Sequence, residues 1–120
     1  QQWLTDDKSI YLQISQMIET DILRGILLEE ERVPSTNELA KLYTINPATA
    51  AKGVNILVDE GILYKKRGIG MFVATGAVEK IRSRRKDAFY RMRLADLLAE
   101  ARSLGISKKE LIEQIKKEEL

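Results

Sequence analysis

Cysteine and histidine are both absent from the 120 residues. That removes disulfides, thiolate metal sites and the commonest nitrogen ligand together, so a zinc finger and a disulfide-stapled secreted domain are excluded. No run approaches the ~18 to 20 apolar residues that span a bilayer, and no charged start followed by an apolar stretch marks a leader. No membrane partner is expected, and the protein is expected to be soluble and cytoplasmic. Without His or Cys, acid–base work would fall to carboxylates or lysines, and the acidic residues gather on helix faces or in the Glu29–Glu31 run. No enzymatic activity, metal or cofactor is expected.

Proline is nearly as scarce, and its two copies, Pro34 and Pro47, both stand at the start of a helical pattern rather than inside one. What is plentiful is apolar and charged surface. Hydrophobic residues make up 44% of the chain, enough for one modest core with an appendage. The net charge of +2 says little, but its distribution says more. Residues 1–30 carry −4, residues 31–75 carry +2 and residues 76–101 carry +3, so the basic excess begins in the middle of the chain.

The expected fold is mainly α with a small β-hairpin. A first helix after Ser9 places Ile10, Ile14, Met17, Ile18 and Ile22 on one stripe and stops at Gly25. An acidic connector, LLEEER, leads to Ser35 and Glu38, a capping box for a short helix to about Leu42 with Leu39, Ala40 and Leu42 on its buried side. Asn46 before Pro47 starts a third helix that runs to about Glu60, with Val54, Leu57 and Val58 inward and Gly61 as a left-handed stop. Residues 62–66 and 71–75 read as strands separated by Arg67, Gly68, Ile69 and Gly70. Residues 1–75 thus form a winged helix-turn-helix, whose usual business is binding double-stranded DNA.

Such a unit lays its second helix in the major groove, with the first turn against base edges. Here that turn holds Asn46, Ala48 and Thr49, with Lys52 one turn on. Thr49 and Lys52 are suited to bases or phosphates, Asn46 serves mainly as a cap, and Ala48, Ala50 and Ala51 are small enough for close approach or thymine-methyl contact. Ser35, Thr36 and Asn37 open the preceding helix, where the dipole and spare amides favour a phosphate, although Ser35 is first of all a cap. Lys65, Lys66, Arg67 and Gly68 form a basic hairpin tip suited to a phosphate or a narrow minor groove. The GIG element lies between strands, and no helix follows it in the way a phosphate loop requires, so it reads as a DNA wing rather than a nucleotide site.

Residues 77–120 read as a helical arm. One helix runs without proline or glycine to about Leu104, Gly105 closes it, and Ser107 with Glu110 caps a last helix. A segment this short rarely builds its own core, so its apolar residues need a partner, either the first domain or, more economically, a second copy of the chain. Ile81, Ala88, Met92, Ala95 and Ala99 approximate a narrow seam, and Leu94, Leu97, Leu98 and Ala101 a second stripe. Phe89, Met92, Leu94, Leu97, Leu98, Leu111, Ile112 and Ile115 are assigned to homodimerisation, while Arg82, Arg84, Arg85 and Lys86 read as a solvated face. Phe89 and Tyr90 are given packing roles, as is Trp3, with covering a partner's arm as its alternative. A small-molecule effector bound between subunits stays open. The competing function is a winged helix that grips an acidic protein through its basic hairpin.

Together these motifs resemble the GntR-type bacterial transcription regulators over about residues 8–75: IYLQI, the GIL turn, VPSTNELA, INPATAAKGVNILVDEGIL and RGIGMFV, in that order and at those distances. The short tail is similar to the YtrA-like subfamily. The resemblance implies a dimeric repressor on an inverted-repeat operator, often of a transporter operon, with DNA contacts on Ser35, Asn37, Asn46, Thr49, Lys52, Arg67 and Gly68. Asn37 stands where the family usually has arginine, Glu30 where it has glycine, and Ala48 where the subfamily often has asparagine. Base reading is expected to differ accordingly.

Overall fold

A computed structural model describes residues 9–120. Trp3 lies outside the described residues. Two compact units divide the chain, the first ending at Arg82 and the second spanning Ser83–Leu120.

In the first unit, α1 (Ile10–Leu23) turns Ile14, Ile18 and Ile22 inward at helical spacing, and Gly25, at φ 76°, turns the chain out of it. Ser9 occupies the N-cap but its side chain bonds no amide. Helix α2 (Thr36–Tyr43) begins with the expected capping box, Ser35 Oγ accepting from Glu38 N at 3.0 Å and Glu38 Oε1 from Ser35 N at 2.8 Å. Its inward face is Leu39 and Ala40 with Tyr43, an i, i+1, i+4 stripe. Leu42, expected among them, is 54% exposed because that stripe rotates it outward. Helix α3 (Pro47–Asp59) starts at Asn46, whose Oδ1 accepts from Ala48 N at 2.8 Å, and Gly61, at φ 75°, follows its end. Val54 and Leu57 are buried as expected, with Val58 packed at the margin.

The hairpin is β1 (Leu63–Lys66) against antiparallel β2 (Gly70–Val73), in the register Leu63 to Val73 and Lys66 to Gly70. The turn is therefore three residues, Arg67, Gly68 and Ile69, and Gly70 belongs to the strand. The connector is not a plain loop. Glu30 N donates to Val73 O at 2.7 Å, Val73 N to Glu31 O at 3.0 Å and Val33 N to Met71 O at 2.9 Å, with Arg32 bridging Phe72. Residues 30–33 thus line the free edge of β2 and satisfy its backbone.

Helix α4 (Ala77–Ala88) sends Ala77 and Ile81 into the same core as α1, α3 and the hairpin. Ile81, read as the first residue of an apolar seam, is fully buried in this core.

In the second unit the helix widens into a π turn (Phe89–Leu94) before α5 (Ala95–Ser103), and α6 (Lys108–Lys117) follows the predicted box, Ser107 Oγ accepting from Glu110 N at 3.1 Å. A π turn holds more residues per turn than an α turn, so the expected seam through Ala88, Met92, Ala95 and Ala99 loses its register there. Ala101 is the buried apolar residue of this unit, while Phe89, Met92, Leu97, Ile112 and Ile115 are exposed and Leu94, Leu98 and Leu111 half-buried. Among the described residues no helix is long and apolar enough to cross a membrane.

Candidate nucleic-acid interface

The two faces of α3 separate cleanly. Ala50, Gly53, Val54 and Leu57 turn inward, and Ala48, Lys52, Asn55 and Asp59, at spacings of four, three and four, form an exposed stripe. Ala48 and Lys52 stand on that stripe, and Thr49 sits half-buried at its margin. Ala50 does not. Its exposure is 0%, so its methyl packs in the core and is not available to a thymine, and Ala51 is half-buried. Helical spacing from Lys52 also reaches Asn55, a polar side chain that reading only the first turn overlooks.

Close packing of α1 fixes the attitude of α3. The Ser15 hydroxyl donates to the Gly53 carbonyl, and a Cβ on Gly53 would lie 2.5 Å from Tyr11 O. Next to this crossing the Lys52 ammonium lies 4.1 Å from the centroid of the Tyr11 ring. At the start of α2, Ser35 and Glu38 satisfy each other. The amides of Thr36 and Asn37 in the first turn have no intrahelical acceptor, and Asn37 is exposed. The Ser35 amide bond holds the Glu38 carboxyl below its ordinary value.

On the wing, Arg67 and Gly68 are exposed at the tip, and Gly68 takes φ 77°, a conformation that costs glycine little. Lys66 is exposed but folds back across the aromatic face, with Nζ 4.5 Å from the Phe72 centroid. Phe72 in turn stacks on its cross-strand partner Tyr64, 6.0 Å between centroids.

The base of the wing is clasped by Glu30. One oxygen accepts from the Tyr64 hydroxyl, the other from Thr75 Oγ1 at 2.7 Å and Thr75 N at 3.1 Å. Glu30 has φ 68°, the left-handed backbone that explains a glycine preference here, and its side chain uses that position for three hydrogen bonds. The Tyr64 bond, then those of Thr75, lower the Glu30 carboxyl, and the same contact raises the Tyr64 phenol. Sequence reading treated Glu30 only as a departure from pattern. Its partners lie 34 and 45 residues away, with no local signal.

Lys52, Lys65 and Arg67 have no ion-pair partner among the described residues. On the exposed face of α4, Arg82 pairs with Glu79, while Arg84 and Arg85 are half-buried. No cluster of three or more potential metal-ligating side chains occurs among the described residues.

A three-helix unit with a capped second and third helix, followed by a β-hairpin with a basic tip, is a winged helix-turn-helix. Residues 10–73 match the family described as bacterial regulatory proteins, gntR family, and the chain belongs to it. It is 34% identical over 109 residues to the uncharacterized HTH-type transcriptional regulator YhcF of Bacillus subtilis (strain 168), a match covering 91% of this chain and 88% of YhcF. It is 32% identical over 107 residues to the HTH-type transcriptional repressor YtrA of the same strain, covering 89% and 82%. Among solved structures it resembles a GntR family transcriptional regulator from Listeria monocytogenes, with TM-score 0.75, 28% identity and coverage of 97% and 100%. It also resembles the AraR DNA-binding domain in complex with operator ORX1, with TM-score 0.54, 32% identity and coverage of 62% and 90%. The relatives are transcriptional regulators, which points away from catalysis.

Proposed function

We propose that this DNA-binding regulator acts as a homodimeric repressor, each copy laying the exposed stripe of α3 in a major groove of an inverted-repeat operator while its wing follows the backbone. The carrying observation is the division of α3 into a core face and a protruding face bearing Ala48, Lys52 and Asn55, on a fold shared with an operator-bound domain. Lys52 reads guanine or a phosphate, Thr49 and Asn55 supply hydrogen bonds, and Arg67 with Gly68 meets a phosphate or the minor groove. Thr36 and Asn37 hold a phosphate at the start of α2. Ser35 and Asn46 contribute chiefly as caps, and Lys66 chiefly by bracing Phe72. The cytoplasm, where chromosomal operators lie, is the site of action.

Pairing is assigned to residues 83–120. Phe89, Met92, Leu97, Ile112 and Ile115 are apolar yet exposed, which a second copy would cover. YtrA and YhcF match over most of their own lengths, arm included.

Selection of bound sequences from a random duplex pool tests the reading directly. An enriched inverted repeat with half-sites near one helical turn apart is expected. On that duplex, Lys52→Ala and Arg67→Ala bind more weakly, each with intact thermal unfolding. Weak binding to every duplex alike would instead favour a winged helix that grips an acidic protein. Both variants binding as tightly as the parent would place the interface elsewhere.

A further inference from the structure

Lysine is an expensive reading residue, because its ammonium ends a four-carbon stem whose many rotamers must be given up when it meets an acceptor. In this chain the ammonium is not left to solvent alone. The Lys52 ammonium lies 4.1 Å from the Tyr11 ring centroid, inside the range where a cation is held by the negative face of an aromatic ring. The backbone that carries the ring is itself fixed. Tyr11 and Ser15 stand one turn apart on α1, the Tyr11 carbonyl packs against Gly53, and Ser15 bonds the Gly53 carbonyl, so the α1–α3 crossing is locked immediately beside Lys52. The Tyr11 side chain is half-buried while Lys52 remains exposed, which leaves ammonium N–H groups available to an acceptor outside.

We propose that Tyr11 is a positioning residue for DNA recognition: its ring holds the Lys52 ammonium at the edge of the α3 reading stripe, so that Lys52 reaches a base edge or phosphate already ordered. This rests on the reading of Lys52 as a DNA contact. Tyr11 acts through its ring face rather than through its hydroxyl, so phenylalanine should replace it and leucine should not.

The test uses the full chain and the selected operator duplex, with binding followed by fluorescence anisotropy. Tyr11→Leu should weaken binding about two- to five-fold, the factor that corresponds to an exposed cation–π contact. Tyr11→Phe should bind like the parent. In a Lys52→Ala background, Tyr11→Leu should cost nothing further, since the two residues act as one unit. A merely structural Tyr11 would give losses that multiply, and a Tyr11 hydroxyl bonding DNA would make Tyr11→Phe as weak as Tyr11→Leu. Either result overturns the inference. Parental affinity in Tyr11→Leu beside a weakened Lys52→Ala overturns it alone, whereas parental affinity in Lys52→Ala overturns the α3 interface as well. A second measurement needs no variant to fold. The Lys52 ε-methylene protons of the unaltered protein should resonate upfield through the ring current of Tyr11, and unshifted protons would overturn the proposal.

Discussion

The carbonyl oxygen of Tyr11 faces Gly53 across the α1–α3 crossing so closely that a Cβ on Gly53 would stand 2.5 Å from it. The same Cβ would lie 3.1 Å from the Ile14 Cβ. In an exposed helix, alanine would be preferred to glycine by about 1 kcal/mol. Here the obstructing atom is backbone and cannot swing aside, so Gly53→Ala must separate α1 from α3. Net destabilisation of about 1 to 3 kcal/mol is expected, the usual cost of overpacking. Urea unfolding of the variant checks it, and a gain in stability would refute the crossing.

The Ser15 hydroxyl spans that crossing to the Gly53 carbonyl, and Ser15 is buried. Ser15→Ala leaves this contact unmade and should cost about 1 kcal/mol. Its effect should be sub-additive with Gly53→Ala, because both act on one contact. A double-mutant cycle on unfolding free energies reads the coupling.

How far this unit was legible in the sequence depended on whether the cause was local. The starts of α2, α3 and α6 were readable because Ser35 with Glu38, Asn46 with Pro47, and Ser107 with Glu110 settle their own amides within three residues. The pairing of residues 30–33 with the free edge of β2 was not readable, since its partners Met71 and Val73 are distant and nothing local marks it. Leu42 and Ala50 were misplaced for a rotational reason. Burial is decided by which way a helix is turned by its neighbours, so Tyr43 took the inward place given to Leu42, and Ala50 faced the core rather than DNA. The π turn at Phe89–Leu94 has no sequence mark comparable to a proline or glycine. At the candidate site, residue types pointed to Lys52 and Arg67, but it is the fold that joins Lys52 to Tyr11 and Glu30 to Tyr64.

The Glu30 clasp gives the unit a pH dependence with a defined sign. The Tyr64 hydroxyl, then Thr75, lower its carboxyl below the ordinary 4.5, so the ionised form is favoured by folding. Its stabilisation is present above the unfolded value and is lost as pH falls through the lower folded value. Glu38, lowered by the Ser35 amide, adds to the same acid limb. Thermal unfolding followed from about pH 7 to about pH 3 should therefore show a falling midpoint at the acid end. Glu30→Gln should flatten that fall while the part due to Glu38 persists. The Tyr64 phenol, raised chiefly by the Glu30 bond, contributes below its unfolded value and ceases to as pH rises through the folded one. Tyr64→Phe should remove that alkaline contribution. An unchanged pH profile in Glu30→Gln would show that the clasp does not form in solution.

At the wing tip, Arg67 and Lys66 should behave differently although they are neighbours. Arg67 is exposed at the turn without an ion-pair partner among the described residues, so Arg67→Ala should weaken binding across sequences and reduce the salt slope by about one unit. Lys66 lies over Phe72, so Lys66→Ala should change the slope less and loosen the wing more. Operator titrations over a range of salt concentrations, beside amide exchange in β1 and β2, distinguish the two. Equal slopes for both variants would put Lys66 on a phosphate as well.

The proposed dimer turns on an apolar surface that the arm does not bury by itself. Leu97 is 45% exposed and Ile112 44%, and Ala101 is the buried apolar residue of that unit. If a second copy covers this surface, Leu97→Glu or Ile112→Glu places a charge in it without disturbing the first unit, whose core ends at Ala77 and Ile81. Light scattering should report a dimer for the parent chain and a monomer for each variant. DNA binding then supplies an independent reading. Two linked recognition helices gain about 10²- to 10⁴-fold on a double site through effective concentration, a gain unavailable on a single half-site. The variants should therefore lose affinity for the inverted repeat while binding one half-site as the parent does. A dimer that survives both substitutions would move the pairing surface away from α5 and α6, and a loss of half-site binding would mean that the substitutions had damaged the first unit instead.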